Sequence, residues 1–327
     1  MRNLILVAVL FAACTAKEAK VIGTIERLDP ALDALVNKDA AIEVLAEGYE
    51  WSEGPVWIEK ENMLLFSDVP KNIVYKWTEG HGAEVYLTPS GFTGTTTTSN
   101  EPGANGLVYY NDSLFLCQHG DRRIARMNAP LHTPAATFTT LAATFNEKRF
   151  SSPNDAVMNS NGELFFTDPP YGLAKHENDS EKEQPYNGVY KVTKGVVSLL
   201  VDSLTKPNGI IVMPDQKKII VANSDPEKAT WYEFELAEDG TVSKGRIFYD
   251  ATRNLATDKG VPDGLKVDRA GNIYASGPGG IWIFNSAGTV LGKIRLSELV
   301  SNCALSHDEK TLYITADMYL LRIKLRK

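Results

Sequence analysis

Six times along this 327-residue chain a small polar motif opens a short apolar unit, and no other feature restricts the possible folds as strongly. The openings are Glu53-Gly54-Pro55, Asn105-Gly106-Leu107, Asn154-Asp155-Ala156, Asn208-Gly209-Ile210, Asp263-Gly264-Leu265 and Asn302-Cys303-Ala304. Each is followed by an apolar stretch, a turn rich in Asp, Asn, Gly or Lys, and a second apolar stretch, at residues 64–68, 114–118, 164–168, 219–223, 273–276 and 312–315. Strand-built repeats of roughly 40–50 residues mark a β-propeller, with one four-stranded blade per repeat. The fold expected is therefore all-β, a six-bladed β-propeller. Equivalent residues of successive blades form a ring around the axis, and here that ring reads Glu, Asn, Asn, Asn, Asp, Asn.

The last repeat, from Asn302 to Lys327, is too short for four strands. Residues 42–49, rich in branched side chains, are expected to supply the missing strand, so that the N-terminal strand closes the ring. Closure removes the sheet edges that invite aggregation. The propeller then spans residues 41–327, and the polar, Ala-rich residues 15–40 are expected to form a tether. Ahead of them, Met1-Arg2-Asn3 and the apolar run 4–13 end in small residues directly before Cys14. That run is too short to span a bilayer. It resembles a bacterial lipoprotein signal over residues 1–14, with ordinary signal cleavage near Ala13 or Ala16 as the alternative. Either route places the mature protein outside the cytoplasm, periplasmic or held to a membrane through a lipid on Cys14.

A ring of side-chain oxygens without thiolate or imidazole suits a hard divalent cation, because calcium, magnesium and manganese favour carboxylate, amide and water oxygens. Glu53 and Asp263 bring two formal negative charges and the asparagines bring neutral donors. Taken singly, each Asn-Gly or Asp-Gly pair also reads as a reverse turn. Six in register point to the metal. Cys117 and Cys303 fall in different repeats and read as buried thiols, and no Cys/His spacing typical of zinc is present. The net charge of −7 argues against nucleic acid, which needs a basic face. A hydrophobic fraction of 43% and a charged fraction of 23% fit one ordinary globular body. A propeller of this kind is expected to be a monomer.

Two segments interrupt the repeats: the low-complexity residues 91–104 and the charged residues 175–187. Both read either as solvated loops or as rims over the channel, since long loops on rigid scaffolds tend to carry binding residues. His119, Arg122 and Arg123 follow the second strand of the second repeat, where they would either meet a sugar substrate or form a surface ion-pair cluster. Asp168 and Tyr171 hold the equivalent place in the third repeat, and Asp225 in the fourth.

The motifs Glu53-Gly54-Pro55-Val56-Trp57, 117–123 (CQHGDRR), Pro153-Asn154-Asp155, 166–173 (FTDPPYGL) and Pro262-Asp263-Gly264-Leu265 resemble those of the gluconolactonases. These belong to the senescence-marker-protein/gluconolactonase/luciferin-regenerating-enzyme family of six-bladed propellers, and the resemblance runs from about Val44 onward. It implies that Glu53, Asn154, Asn208 and Asp263 hold one divalent cation, calcium foremost, with magnesium, manganese or zinc as alternatives. Asp263 is also the implied general base. Asn105 and Asn302 hold the remaining ring positions, and with His119, Arg122, Asp168 and Tyr171, placed near the channel mouth, they are the residues expected to bind substrate.

The implied activity is metal-dependent hydrolysis of a sugar lactone to its aldonic acid. The cation would polarise the lactone carbonyl and stabilise the oxyanion of the transition state. Attack by water activated through Asp263, by water activated at the cation, or by a carboxylate all remain open to the sequence. No Gly-x-Ser-x-Gly elbow is present, which disfavours serine hydrolysis. Two alternatives share the fold: hydrolysis of a non-sugar lactone or organophosphate, and a non-catalytic binding propeller pinned by its metal.

Overall fold

The computed structural model describes residues 20–238, 240–243 and 245–326. The signal and Cys14 lie outside the described residues. Six antiparallel sheets are arranged as the blades of a propeller. Blade 1 runs outward through Ser52–Ile58, Met63–Asp68, Ile73–Thr78 and Gly82–Leu87. The innermost strands of blades 2 to 6 are Ala104–Tyr110, Ala156–Met158, Pro207–Val212, Leu265–Val267 and Val300–Leu305. Each starts at or next to one of the polar motifs, so the sequence repeat is the blade repeat.

The second strand of each blade is apolar through its middle because neighbouring blades bury both of its faces. Side chains alternate along a strand, and the alternation divides them between two interfaces. Leu64 and Phe66 pack with Ala304, Tyr313 and Leu320 of blade 6, whereas Leu65 packs with Leu107, Leu114 and Leu116 of blade 2. The same division makes one apolar cluster at every blade–blade interface, so the core is distributed around the ring.

The ring motifs are not reverse turns. They lie within or beside innermost strands and interrupt pairing there, as between Glu53 and Val56 or between Ala104 and Leu107. Their glycines permit close approach of neighbouring blades near the axis. A Cβ on Gly54, whose φ is +53°, would lie 2.0 Å from the Asn105 carbonyl oxygen, and one on Gly209 would lie 2.2 Å from the Asp263 carbonyl oxygen. Hydroxyls at the ends of second strands tie the same positions from the side: Ser67 donates to the Asn105 carbonyl at 2.9 Å and Thr167 to the Asn208 carbonyl at 2.7 Å.

Ring closure follows the sequence reading. Ile42–Glu47 pairs antiparallel with Tyr319–Lys324 as the outermost strand of blade 6. The tether expected over residues 15–40 is corrected where the chain is described. Thr24–Arg27 adds a fifth strand to blade 5, against Val290–Arg295. The short 3-10 helix Pro30–Ala34 follows, with the Asp29 side chain accepting from the Ala31 amide and Pro30 opening the turn. Leu32 and Val36 are both fully buried between blades 5 and 6. Ile22, Ile25, Leu35 and Ala40 pack against the same cluster while partly exposed. Among the described residues no helix is long and apolar enough to cross a membrane.

Cys117 and Cys303 are free and buried in different interblade clusters, as the sequence suggested.

Candidate functional site

One end of the central channel opens into a pocket lined by Trp51, Glu53, Glu101, Asn105, Asn154, Tyr171, Asn208, Ser224, Val261, Asp263, Leu299 and Val300. All four residues implied as cation ligands are here, with Asn105 and Tyr171 beside them. Each ring side chain leaves an innermost strand or the turn entering one, and closure of the sheet aims them all inward.

The electrostatics of this wall are unusual. Glu53 is 2% exposed, and Asp263 is half-buried in the pocket wall. Burial first, and then the neighbouring charge of Asp155, pushes the Glu53 carboxyl well above its ordinary range. Burial followed by the charges of Glu53 and Asp155 does the same to Asp263. Three oxygens in the pocket, Asn105 Oδ1, Asn154 Oδ1 and Asp263 Oδ1, are buried without any hydrogen-bond donor. An unpaired buried acceptor costs about 1–3 kcal/mol, and three around one cavity call for a shared positive partner. The donor chemistry therefore fits a hard divalent cation. Among the described residues no three His, Cys, Asp or Glu side chains are grouped to hold a metal by themselves, so the asparagine amides are indispensable to such a set.

Asn302 lies one layer deeper, as a bridge. Its Nδ2 donates to Glu53 Oε2 at 3.2 Å and to Asp155 Oδ2 at 3.4 Å. It supports the pocket from below and does not line it.

Three further residues expected to bind substrate do not reach the pocket either. Asp168 is fully buried and accepts from the Ser151 and Ser152 amides at 2.8 and 2.7 Å. The equivalent side chains of other blades do the same work: Asp68 accepts from the Trp51 amide, Gln118 donates to the Ser90 carbonyl, and Asn223 accepts from the Lys206 amide. In blades 1 to 4 this position at the end of the second strand ties down the loop that precedes the first strand. Burial raises Asp168 to about 7, opposed by the two amides. Arg122 donates from Nε to the Phe150 carbonyl at 2.7 Å, clamping blade 2 to the loop before blade 3. His119 is fully buried behind the pocket wall, 3.6 Å from Glu101, and burial drives it down to about 3, so its ring is neutral.

Residues 91–104 contribute one residue, Glu101, to the pocket wall, while residues 93–98 are exposed. Asn72 Oδ1 accepts from the amides of Ser90, Gly91 and Phe92, and Asp121 accepts from the Thr93 amide and hydroxyl. This bracing brings Glu101 to the cavity, where burial raises its carboxyl to about 7. Glu101 escapes a sequence reading because it lies in a low-complexity loop outside the repeat. Asp155 escapes because attention falls on the Asn154 before it, and Lys266 because it sits three residues past Asp263. Residues 175–187 instead brace the rim: Gln184 Nε2 donates to the Phe145 and Lys148 carbonyls, and Asn187 Nδ2 to the Thr205 carbonyl.

A family model described as the SMP-30/gluconolactonase/LRE-like region matches residues 51–317. A gluconolactonase of Zymomonas mobilis is 34% identical over 321 residues, covering 96% of this chain and 89% of the relative. A solved gluconolactonase of Xanthomonas campestris superposes with a TM-score of 0.79 at 28% identity, over 94% of this chain and 96% of its own. A calcium-binding regucalcin of Agrobacterium tumefaciens, at 16% identity and a TM-score of 0.67, covers 86% of this chain and 93% of its own and shares the fold.

Proposed function

The chain belongs to the SMP-30/gluconolactonase/LRE-like family, and we propose that its channel pocket hydrolyses a sugar lactone with a divalent cation held at the ring. Membership makes it a lactonase-type hydrolase acting on an ester bond. The observation that carries the cation is the convergence of the three orphaned oxygens of Asn105, Asn154 and Asp263 on one cavity. Glu53, Asn154, Asn208 and Asp263 are its ligands in this reading, and calcium is the first candidate because it accepts many neutral oxygens. When bound, the cation supplies Lewis acidity to the lactone carbonyl and charge stabilisation to the oxyanion.

The chain's own residues do the rest. Asp263 takes the proton of the attacking water through the carboxylate oxygen that the cation leaves free. Glu101, a half-buried carboxyl raised to about 7, supplies a proton to the ring oxygen that departs as the lactone opens. Tyr171, Ser224 and Asn208 share polar contacts along one wall and can meet substrate hydroxyls. Trp51, Val261 and Leu299 offer an apolar wall to the sugar's C–H face and exclude water.

The test is hydrolysis of D-glucono-1,5-lactone, followed by proton release after subtraction of spontaneous opening. Protein stripped with EDTA is expected to be inactive, and calcium, magnesium, manganese or zinc, added back separately, to restore and rank turnover. Unchanged activity after stripping would sink the cation. No acceleration with any cation would remove this lactone as the substrate.

A further inference from the structure

The channel beneath the pocket is closed by a charged column. At its opposite end a funnel walled by Val56, Trp57, Tyr109, Val157 and Met158 narrows onto Lys266. Lys266 Nζ donates to Asn302 Oδ1 at 3.1 Å and to the Leu265 carbonyl at 3.1 Å, and lies 3.8 Å from Asp155 Oδ2. Asn302 relays this ammonium upward, since its Nδ2 contacts both Glu53 and Asp155. Gly264 leaves the room: a Cβ there would lie 1.9 Å from Asn302 Cγ. Three carboxylates, the buried Glu53 and Asp155 and the half-buried Asp263, thus share one channel, and among the described residues Lys266 is the basic side chain that reaches them, through its ion pair with Asp155.

We propose that Lys266 is a resident counter-ion. Its ammonium neutralises part of the ring's negative charge from below, holds the carboxylates together when no divalent cation is bound, and sets how tightly one binds. The second effect rests on the reading of the ring as a cation site. Lys266 touches no ligand of its own. It is a positioning residue that acts through Asn302 and Asp155, and its ammonium repels a dication that shares its carboxylates. Two consequences of opposite sign follow. Removing the ammonium leaves buried charge uncompensated, which destabilises the cation-free protein. The same removal strengthens cation binding, because a like charge has left the site.

The experiment is calorimetric titration of calcium into EDTA-stripped wild-type, Lys266→Met, Lys266→Gln and Lys266→Arg proteins, with thermal midpoints recorded in EDTA and in saturating calcium. Both neutral variants are expected to melt lower in EDTA, bind calcium about ten-fold more tightly and gain more from calcium than wild type. Lys266→Arg, which keeps the charge, is expected to track wild type in both measurements. If Lys266→Met fails to fold, Lys266→Gln carries the comparison. Weaker or unchanged calcium binding in the folded neutral variants would show that Lys266 only packs the channel, overturning the proposal while leaving the cation site standing. A wild-type protein that binds none of calcium, magnesium, manganese and zinc would overturn the cation reading and this proposal together.

Discussion

At the scale of single residues, the pocket separates groups that the sequence makes look alike. Asp68, Asp155 and Asp168 are buried acids and Asp263 is a half-buried one. Asp68 and Asp168 spend their oxygens on backbone amides, Asp155 is paired with Lys266, and Asp263 alone keeps an oxygen free in the pocket. Asp263→Ala should lower kcat by roughly 10²–10⁴-fold while the folded spectrum survives, and equal turnover in the folded variant would refute its role. Glu101→Gln, which keeps shape and loses the proton, should cost about 10²-fold on an aldonolactone. The loss should shrink sharply on an aryl ester, whose phenolate departs without protonation; an equal loss on both would leave Glu101 a binding residue. Asp168→Asn, by contrast, should leave KM within about two-fold and weaken folding by about 1–3 kcal/mol, because an amide offers one acceptor where two backbone donors wait.

At the scale of elements, the segment before the ring is the main departure from expectation. A fifth strand on blade 5 and a 3-10 turn that buries Leu32 and Val36 join residues 20–40 to the propeller. Leu32→Ala should cost about 2–4 kcal/mol in urea unfolding, a value that an undocked tether would not show. The two interrupting loops also diverge in use. Residues 91–104, anchored by Asn72 and Asp121, deliver Glu101 to the pocket, whereas residues 175–187 brace the rim. Nothing in their compositions distinguishes wall from brace, because the difference lies in which distant backbone groups receive their hydrogen bonds.

At the scale of the whole molecule, buried carboxyls make stability depend on pH in a defined direction. Glu101 and Asp168 stand at about 7 in the folded protein, above about 4 in an unfolded chain. The folded state therefore holds extra protons between those values. The stability they confer is complete below the unfolded pKa and is lost as pH rises through about 7. His119, driven down to about 3, has the opposite sign, but its contribution is already complete above about 6.5. In EDTA the urea midpoint should thus fall between about pH 6.5 and 8, and less steeply in Asp168→Asn; a midpoint that climbs over this window would contradict the assignment. The sequence by itself determined the blade count, the closing strand and the identity of the ring, because a radial fold repeats the same local demands: an apolar second strand packed on both faces, and a small polar motif where backbones crowd the axis. Only the tertiary structure decided which acid is free and which is tied, that Glu101 reaches the pocket from its loop, and that Lys266 answers Glu53 through Asn302. Those outcomes depend on partners brought together from distant blades, and no local pattern encodes a distance across a closed ring.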